Sequence, residues 1–138
     1  MSDLYAFLNP VDENEEKDVV ISKRFLDKDG TPQPFRIKAL TQADNERIMR
    51  SCTKVSKENG QRVEKMDNGE YTRRLVVEAT VLPNFADKSL CDRYKTLNPY
   101  DVPGKMLRAG EFAALSKEIM QLSGFNQSFD EAVEEAKN

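Results

Sequence analysis

The sequence predicts an α+β fold, with an N-terminal β-hairpin packed against a small, mostly helical domain. Residues 19–40 read as two extended runs around a Lys28-Asp29-Gly30 turn. From residue 42 onward, apolar side chains return at the 3.6-residue spacing of amphipathic helices. Gly and Pro punctuate the segments between them. A chain of 138 residues suits one domain and buries roughly two-thirds of its unfolded surface without staples.

Residues 1–18 form an N-terminal arm in this reading. Leu4, Tyr5, Phe7 and Leu8 make a short apolar cluster closed by Pro10, and Asp12, Glu13, Glu15, Glu16 and Asp18 follow with one cation, Lys17. A secretory signal needs a basic start and an apolar run of roughly 7–15 residues. Here Asp3 stands where the basic start would be and the apolar run is too short. Two readings stay open: a docking segment for a partner or neighbouring subunit, or a lid folded back on the chain's own core.

The hairpin spans about 19–40. Val19 to Leu26 is rich in β-branched and aromatic residues, and Phe35, Ile37 and Ala39 alternate with Arg36 and Lys38. Pro32 and Pro34 cannot donate to a ladder and confine their segment to an edge or loop margin. Thr41, with Asp44 three residues on, predicts the N-cap of a helix over about 42–56. Ile48, Met49, Cys52 and Val55 gather on one side of it, and Arg47, Arg50, Lys54 and Lys57 on the other. That cationic stripe is either the solvated face that amphipathicity requires or a surface for an anionic partner.

Asn59-Gly60 marks a turn, and a helix is predicted over about 69–82, apolar on more than one side, ended by Pro83 and central to the core. Shorter helices follow at about 87–96 and around Met106 and Leu107. Phe112, Leu115, Ile119 and Leu122 predict a helix over about 110–123 with Gly124 as its stop. Ser128 and Glu131 form a capping-box pattern before a last helix over about 128–137.

Composition narrows the function classes. Charged residues are 33% of the chain, above the roughly 25% of typical soluble domains, and no apolar run reaches the roughly 18–20 residues of a membrane span. The net charge of −3 argues against general nucleic-acid binding. The chain has no histidine, which removes the commonest general base and transition-metal ligand. Cys52 and Cys91 are not spaced as a CxxC pair. The glycines are scattered, with no phosphate-cradling loop, and the acidic runs lack the spacing of a calcium loop. No catalytic, metal or cofactor residue is therefore assigned. Only a pair of carboxylates converging in space would rescue a hydrolase reading.

Several stretches, in order and over nearly the whole chain, carry a family resemblance. They are AFLNP, VVISKRFLDKDGTPQPFRIKALT, SCTK, GEYTRRLVVEATVLPNFADKSLCDRY, KML-x-x-GEFAAL and GFNQSFDEAVEEAKN. This pattern resembles the XkdN-like tail assembly chaperones of contractile-tailed phages and prophages. The resemblance implies a non-enzymatic helper, without cofactor, in the cytoplasm of the bacterial host. It implies a protein that binds the tape measure protein, assists tail tube subunits in assembling around it, and is absent from the mature virion. Related tail genes often yield a second, longer product by ribosomal frameshifting. The partners implied are thus the tape measure protein and the tail tube protein, with no nucleic acid and no membrane; a homo-oligomer is compatible with the same surfaces. The competing classes are a structural or adaptor protein retained in the tail and a small carboxylate-dependent hydrolase. On the leading reading, Leu4, Tyr5, Phe7 and Leu8 on the arm, and Arg47, Arg50, Lys54 and Lys57, are the candidate partner-binding residues.

Overall fold

Pro34 decides where the sheet begins, because the residue after it is the first that donates and accepts in the ladder. The computed structural model describes residues 3–11 and 15–125. In it, β1 (Glu16–Val19) pairs antiparallel with β2 (Phe35–Lys38), from Val19 opposite Phe35 to Glu16 opposite Lys38. The hairpin is present, but its first strand lies earlier than the predicted run from Val19 to Leu26. Glu16, Lys17 and Asp18, read from sequence as part of the arm, are in the sheet.

Cross-strand charge explains why such polar residues hold a strand. Asp18 pairs with Arg36 at 2.8 Å on the outer face, and Lys17 reaches from the inner face to Glu118 at 3.1 Å. Between the strands the chain makes an excursion rather than a ladder. Asp27 closes its tip, its side chain accepting from Asp29 N and Thr31 N while Gly30 takes φ +81°. The Phe25 ring meets Phe35 edge-on at 5.8 Å.

Helix α2 (Gln42–Cys52) starts as predicted: Thr41 accepts from Asp44 N, and Asp44 accepts from Thr41 N. It ends at Cys52, before the predicted 56. The chain then forms β3 (Thr53–Glu58) and β4 (Gln61–Met66), a second hairpin that the sequence reading did not anticipate. Asn59 and Gly60, at φ +54° and +79°, supply its two-residue turn.

Helix α3 (Asn68–Ala79) begins at the cap Asp67 and packs against α2, α5 (Val102–Met106) and α6 (Ala109–Leu122). It stops three residues short of the predicted 82. Thr80–Leu82 is instead β5, the far strand of a β1-β2-β5 sheet. The β-branched Thr80 and Val81, and the bias of a pre-proline residue toward extended backbone at Leu82, favour that switch. Helix α4 (Lys88–Arg93) is capped by Asp87, and a 3-10 turn at Pro99–Asp101 leads into α5. The helix expected over 128–137 lies outside the described residues.

The core forms where β2, α2, α3 and α6 meet. Ile37, Ile48, Leu75, Val76, Leu115 and Ile119 are fully buried there, and Phe85 and Val102 extend it. Each such aliphatic side chain contributes about 1.5–3 kcal/mol relative to exposure. Buried polar groups have partners: Tyr71 Oη donates to Asn45 Oδ1, and Thr80 Oγ1 donates to Val76 O at 2.7 Å.

Glu111 fastens the excursion to α6. Its carboxylate accepts from Arg24 in a bidentate pair and from Arg108 N at 2.7 Å. The Arg24 guanidinium, then the Ser22 hydroxyl and the Arg108 amide, hold its pKa down from 4.5 to about 2. A carboxylate whose folded pKa lies below its unfolded one stabilises the fold fully above the unfolded value. That stabilisation is lost as pH falls from about 4.5 toward about 2. Urea denaturation at stepped pH is expected to show Glu111→Gln less stable than the parent near pH 6. The difference should shrink steadily between pH 4.5 and 2.

Candidate partner-binding surface

The arm carries its apolar cluster outward. Helix α1 (Tyr5–Leu8) is a single turn, closed by Asn9 N and Asn9 Nδ2 donating to Tyr5 O and followed by Pro10. Leu4, Tyr5, Phe7 and Leu8 are 59%, 72%, 79% and 71% exposed, so the cluster does not serve as a lid over the core. Four large apolar side chains that close together in sequence, all turned to solvent, form the kind of patch that marks an interaction site.

The predicted cationic stripe is not one helical face. Arg47 and Arg50 are on α2, whereas Lys54 and Lys57 are on β3, because the helix gives way to strand at Thr53. Alternation along β3 then sends Lys54 and Lys57 to opposite faces of the second hairpin. The stripe rested on helical spacing carried past residue 52.

Arg47 is engaged inside the molecule. It contacts Glu78 of α3 at 3.2 Å and Asp44 of its own first turn at 3.1 Å. Glu78, and then Asp44, hold its guanidinium in the charged form more firmly than usual. Tyr100 Oη also donates to Glu78, at 3.5 Å, and the Arg74 guanidinium lies 4.4 Å over the Tyr100 ring. Arg47 thus clamps α2 to α3. Arg50, Lys54 and Lys57 are exposed and make no ion pair among the described residues.

The second hairpin also brings Arg62 and Lys65 into the same region, two cations missed from sequence. Asn59-Gly60 was the signal that could have found them, since that pair between two runs is a strong hairpin indicator.

Two depressions among the described residues are open and poor in acid. An open depression of about 390 Å³ beside β5 is lined by Val81, Leu82, Pro83 and Leu90, with Asp87 as its one carboxylate. Asp87 is occupied in capping α4, accepting from Ser89 N at 2.8 Å. A smaller apolar depression of about 120 Å³ lies between Phe25, Pro34, Leu82 and Met106. Among the described residues no group of three or more Cys, Asp or Glu side chains is placed to hold a metal ion. Burial pushes the Cys52 thiol up from its ordinary value, away from nucleophilic use. Among the described residues no helix is long and apolar enough to cross a membrane.

The described residues thus form a mixed helix-and-strand domain with exposed apolar and cationic segments. The sequence matches the family described as phage XkdN-like tail assembly chaperone protein, TAC, over residues 4–137, and the chain belongs to that family. It is similar to two proteins of Bacillus subtilis (strain 168). It is 37% identical over 128 residues to "uncharacterized protein YqbN", covering 91% of this chain and 86% of that protein. It is 34% identical over 128 residues to the phage-like element PBSX protein XkdN, with the same coverage, 91% and 86%. The crystal structure of the protein YqbN superposes with a TM-score of 0.77 at 32% identity, covering 91% of this chain and 99% of that one. The family is one of tail assembly chaperones, a role that is not enzymatic.

Because Arg47 is held by Glu78, its removal is expected to affect stability. A double-mutant cycle of Arg47→Ala with Glu78→Gln should give a small favourable coupling in thermal unfolding, reduced at high salt. Additive effects would show that the contact does not join the helices.

Proposed function

We propose that this chain binds the tape measure protein during phage tail assembly, in the cytoplasm of the bacterial host. It keeps that long polypeptide soluble while tail tube subunits assemble around it, and it is left out of the mature virion. The observation that carries the reading is the arm: Leu4, Tyr5, Phe7 and Leu8 are exposed on a helical turn that none of the core requires. Membership of the tail assembly chaperone family supports it.

The physical logic is that of a holder. A chaperone for a long client needs apolar contact offered without unfolding its own core. The described residues of the arm ahead of β1 are all exposed, so a client covers them at no cost to the core. The high charge content keeps the exposed patch from driving self-aggregation.

The test is co-expression of the full chain with the tape measure protein of its own tail gene cluster, followed by co-purification. The parent chain is expected to form a complex. Phe7→Asp with Leu8→Asp should weaken it about tenfold or more while leaving the thermal midpoint nearly unchanged, because both side chains are exposed. Unaltered association would remove the arm from the interface. Mass spectrometry of purified tails should lack the chain, whereas stoichiometric retention would identify a structural or adaptor protein instead.

A further inference from the structure

The β3–β4 hairpin carries a charge arrangement that works against its own stability. Its register sets Lys54 opposite Lys65 and Lys57 opposite Arg62. Alternation puts the first pair on one face and the second on the other. Like charges directly opposed across an antiparallel pair are destabilising. The two glutamates of the hairpin relieve only β4: Glu58 pairs with Lys65 at 3.0 Å, and Glu64 with Arg62 at 3.0 Å. Both lysines of β3 are left without an ion pair among the described residues, although Lys54 feels Asp67 through space.

Beyond its base, where Met66 packs against the core, the hairpin projects away from it. It forms a two-stranded sheet of its own, so both outer edges are open among the described residues. Every β3 residue after Thr53 is exposed, including Val55. Lysines on an open edge discourage pairing between copies. That need alone would be met equally well by glutamate, which at position 54 or 57 would face a cation across the ribbon instead of a like charge. The cations found at both positions trade ribbon stability for positive surface, which fits a site kept for an anionic partner. Glu58 and Glu64 interrupt the positive charge at regular points, and the whole chain is at −3. Both features disfavour a phosphate backbone, which needs a clear cationic excess, and leave an acidic polypeptide as the matching chemistry.

We propose that this hairpin docks an extended, acidic segment of the client protein along the open edge of β3, with client carboxylates meeting Lys54 and Lys57. The proposal rests on the chaperone reading and adds which chemistry of the client is recognised, and where. Backbone pairing along the edge supplies affinity, and the two lysines, on opposite faces, select for acid on both sides of the incoming strand.

The experiment uses the full chain with Lys54→Glu, Lys57→Glu and the double substitution. Thermal unfolding is measured for each, together with the dissociation constant for the tape measure protein at about 50 and about 300 mM salt. The expected result is a thermal midpoint held or raised, with association weakened about tenfold or more at the lower salt and its salt dependence flattened. Equal binding by the parent and the double variant would overturn the hairpin's role while leaving the chaperone reading in place. A lowered midpoint accompanying the lost binding would make the lysines structural and overturn it as well. A parent chain that forms no complex would remove the client reading, and the hairpin proposal with it. Duplex oligonucleotide binding by the parent, lost in the double variant, would assign the lysines to nucleic acid and overturn the acidic-polypeptide assignment.

Discussion

The junction between Ala79 and Thr80 joins the two halves of the molecule. Helix α3 passes into β5 with no intervening loop, and Thr80 donates back to Val76 O from both its backbone N and its Oγ1. The same residue lies opposite Ile37 of β2. Since α3 packs on α2, α5 and α6, this three-residue strand fixes how the helical layer sits on the sheet. Thr80 is buried there, its hydroxyl is partnered, and no buried side-chain donor is orphaned among the described residues.

Around that junction, cohesion and exposure are segregated. Ile37, Ile48, Leu75 and Ile119 are buried together in the core, and the Arg47–Glu78 and Arg24–Glu111 pairs fasten neighbouring elements at the rim. The arm and the second hairpin lie outside this arrangement. Segments with few buried contacts have little stake in the global fold and are free to change their surroundings on binding. Such a division leaves both segments open to contact at little cost to the core.

Charge is divided in the same way. Arg47 and Arg24 are each committed to carboxylates of a distant element, and Lys17 to Glu118, so they hold the fold. Lys54 and Lys57 face cations rather than acids across their own ribbon. A surface ion pair contributes little to stability, and an opposed pair of cations imposes a cost that an anion from outside reduces further. The same residue type thus has opposite meaning at the rim of the core and on the hairpin.

Local chemistry made part of this legible. The Thr41–Asp44 capping box, the Lys28-Asp29-Gly30 turn, the inward Phe35 and Ile37, and the Phe112–Leu122 stripe are set by neighbours a few residues away, and each lies where the sequence places it. The order of the family's stretches was readable for the same reason, being a property of the chain itself. The strands at Glu16–Val19, Thr53–Glu58 and Thr80–Leu82 were not. Two are charged and weakly alternating, and the third continues a helix. What makes each a strand is a partner: β2 for the first and last, β4 across Asn59-Gly60 for the second. By itself the sequence determined the turns, the caps, the helical stripes and the apolar character of the arm. The tertiary structure decided which extended segments pair with β2, because those contacts join residues distant in the chain, and it divided four cations spaced like a helix face between α2 and a ribbon whose one local signal was the Asn59-Gly60 turn.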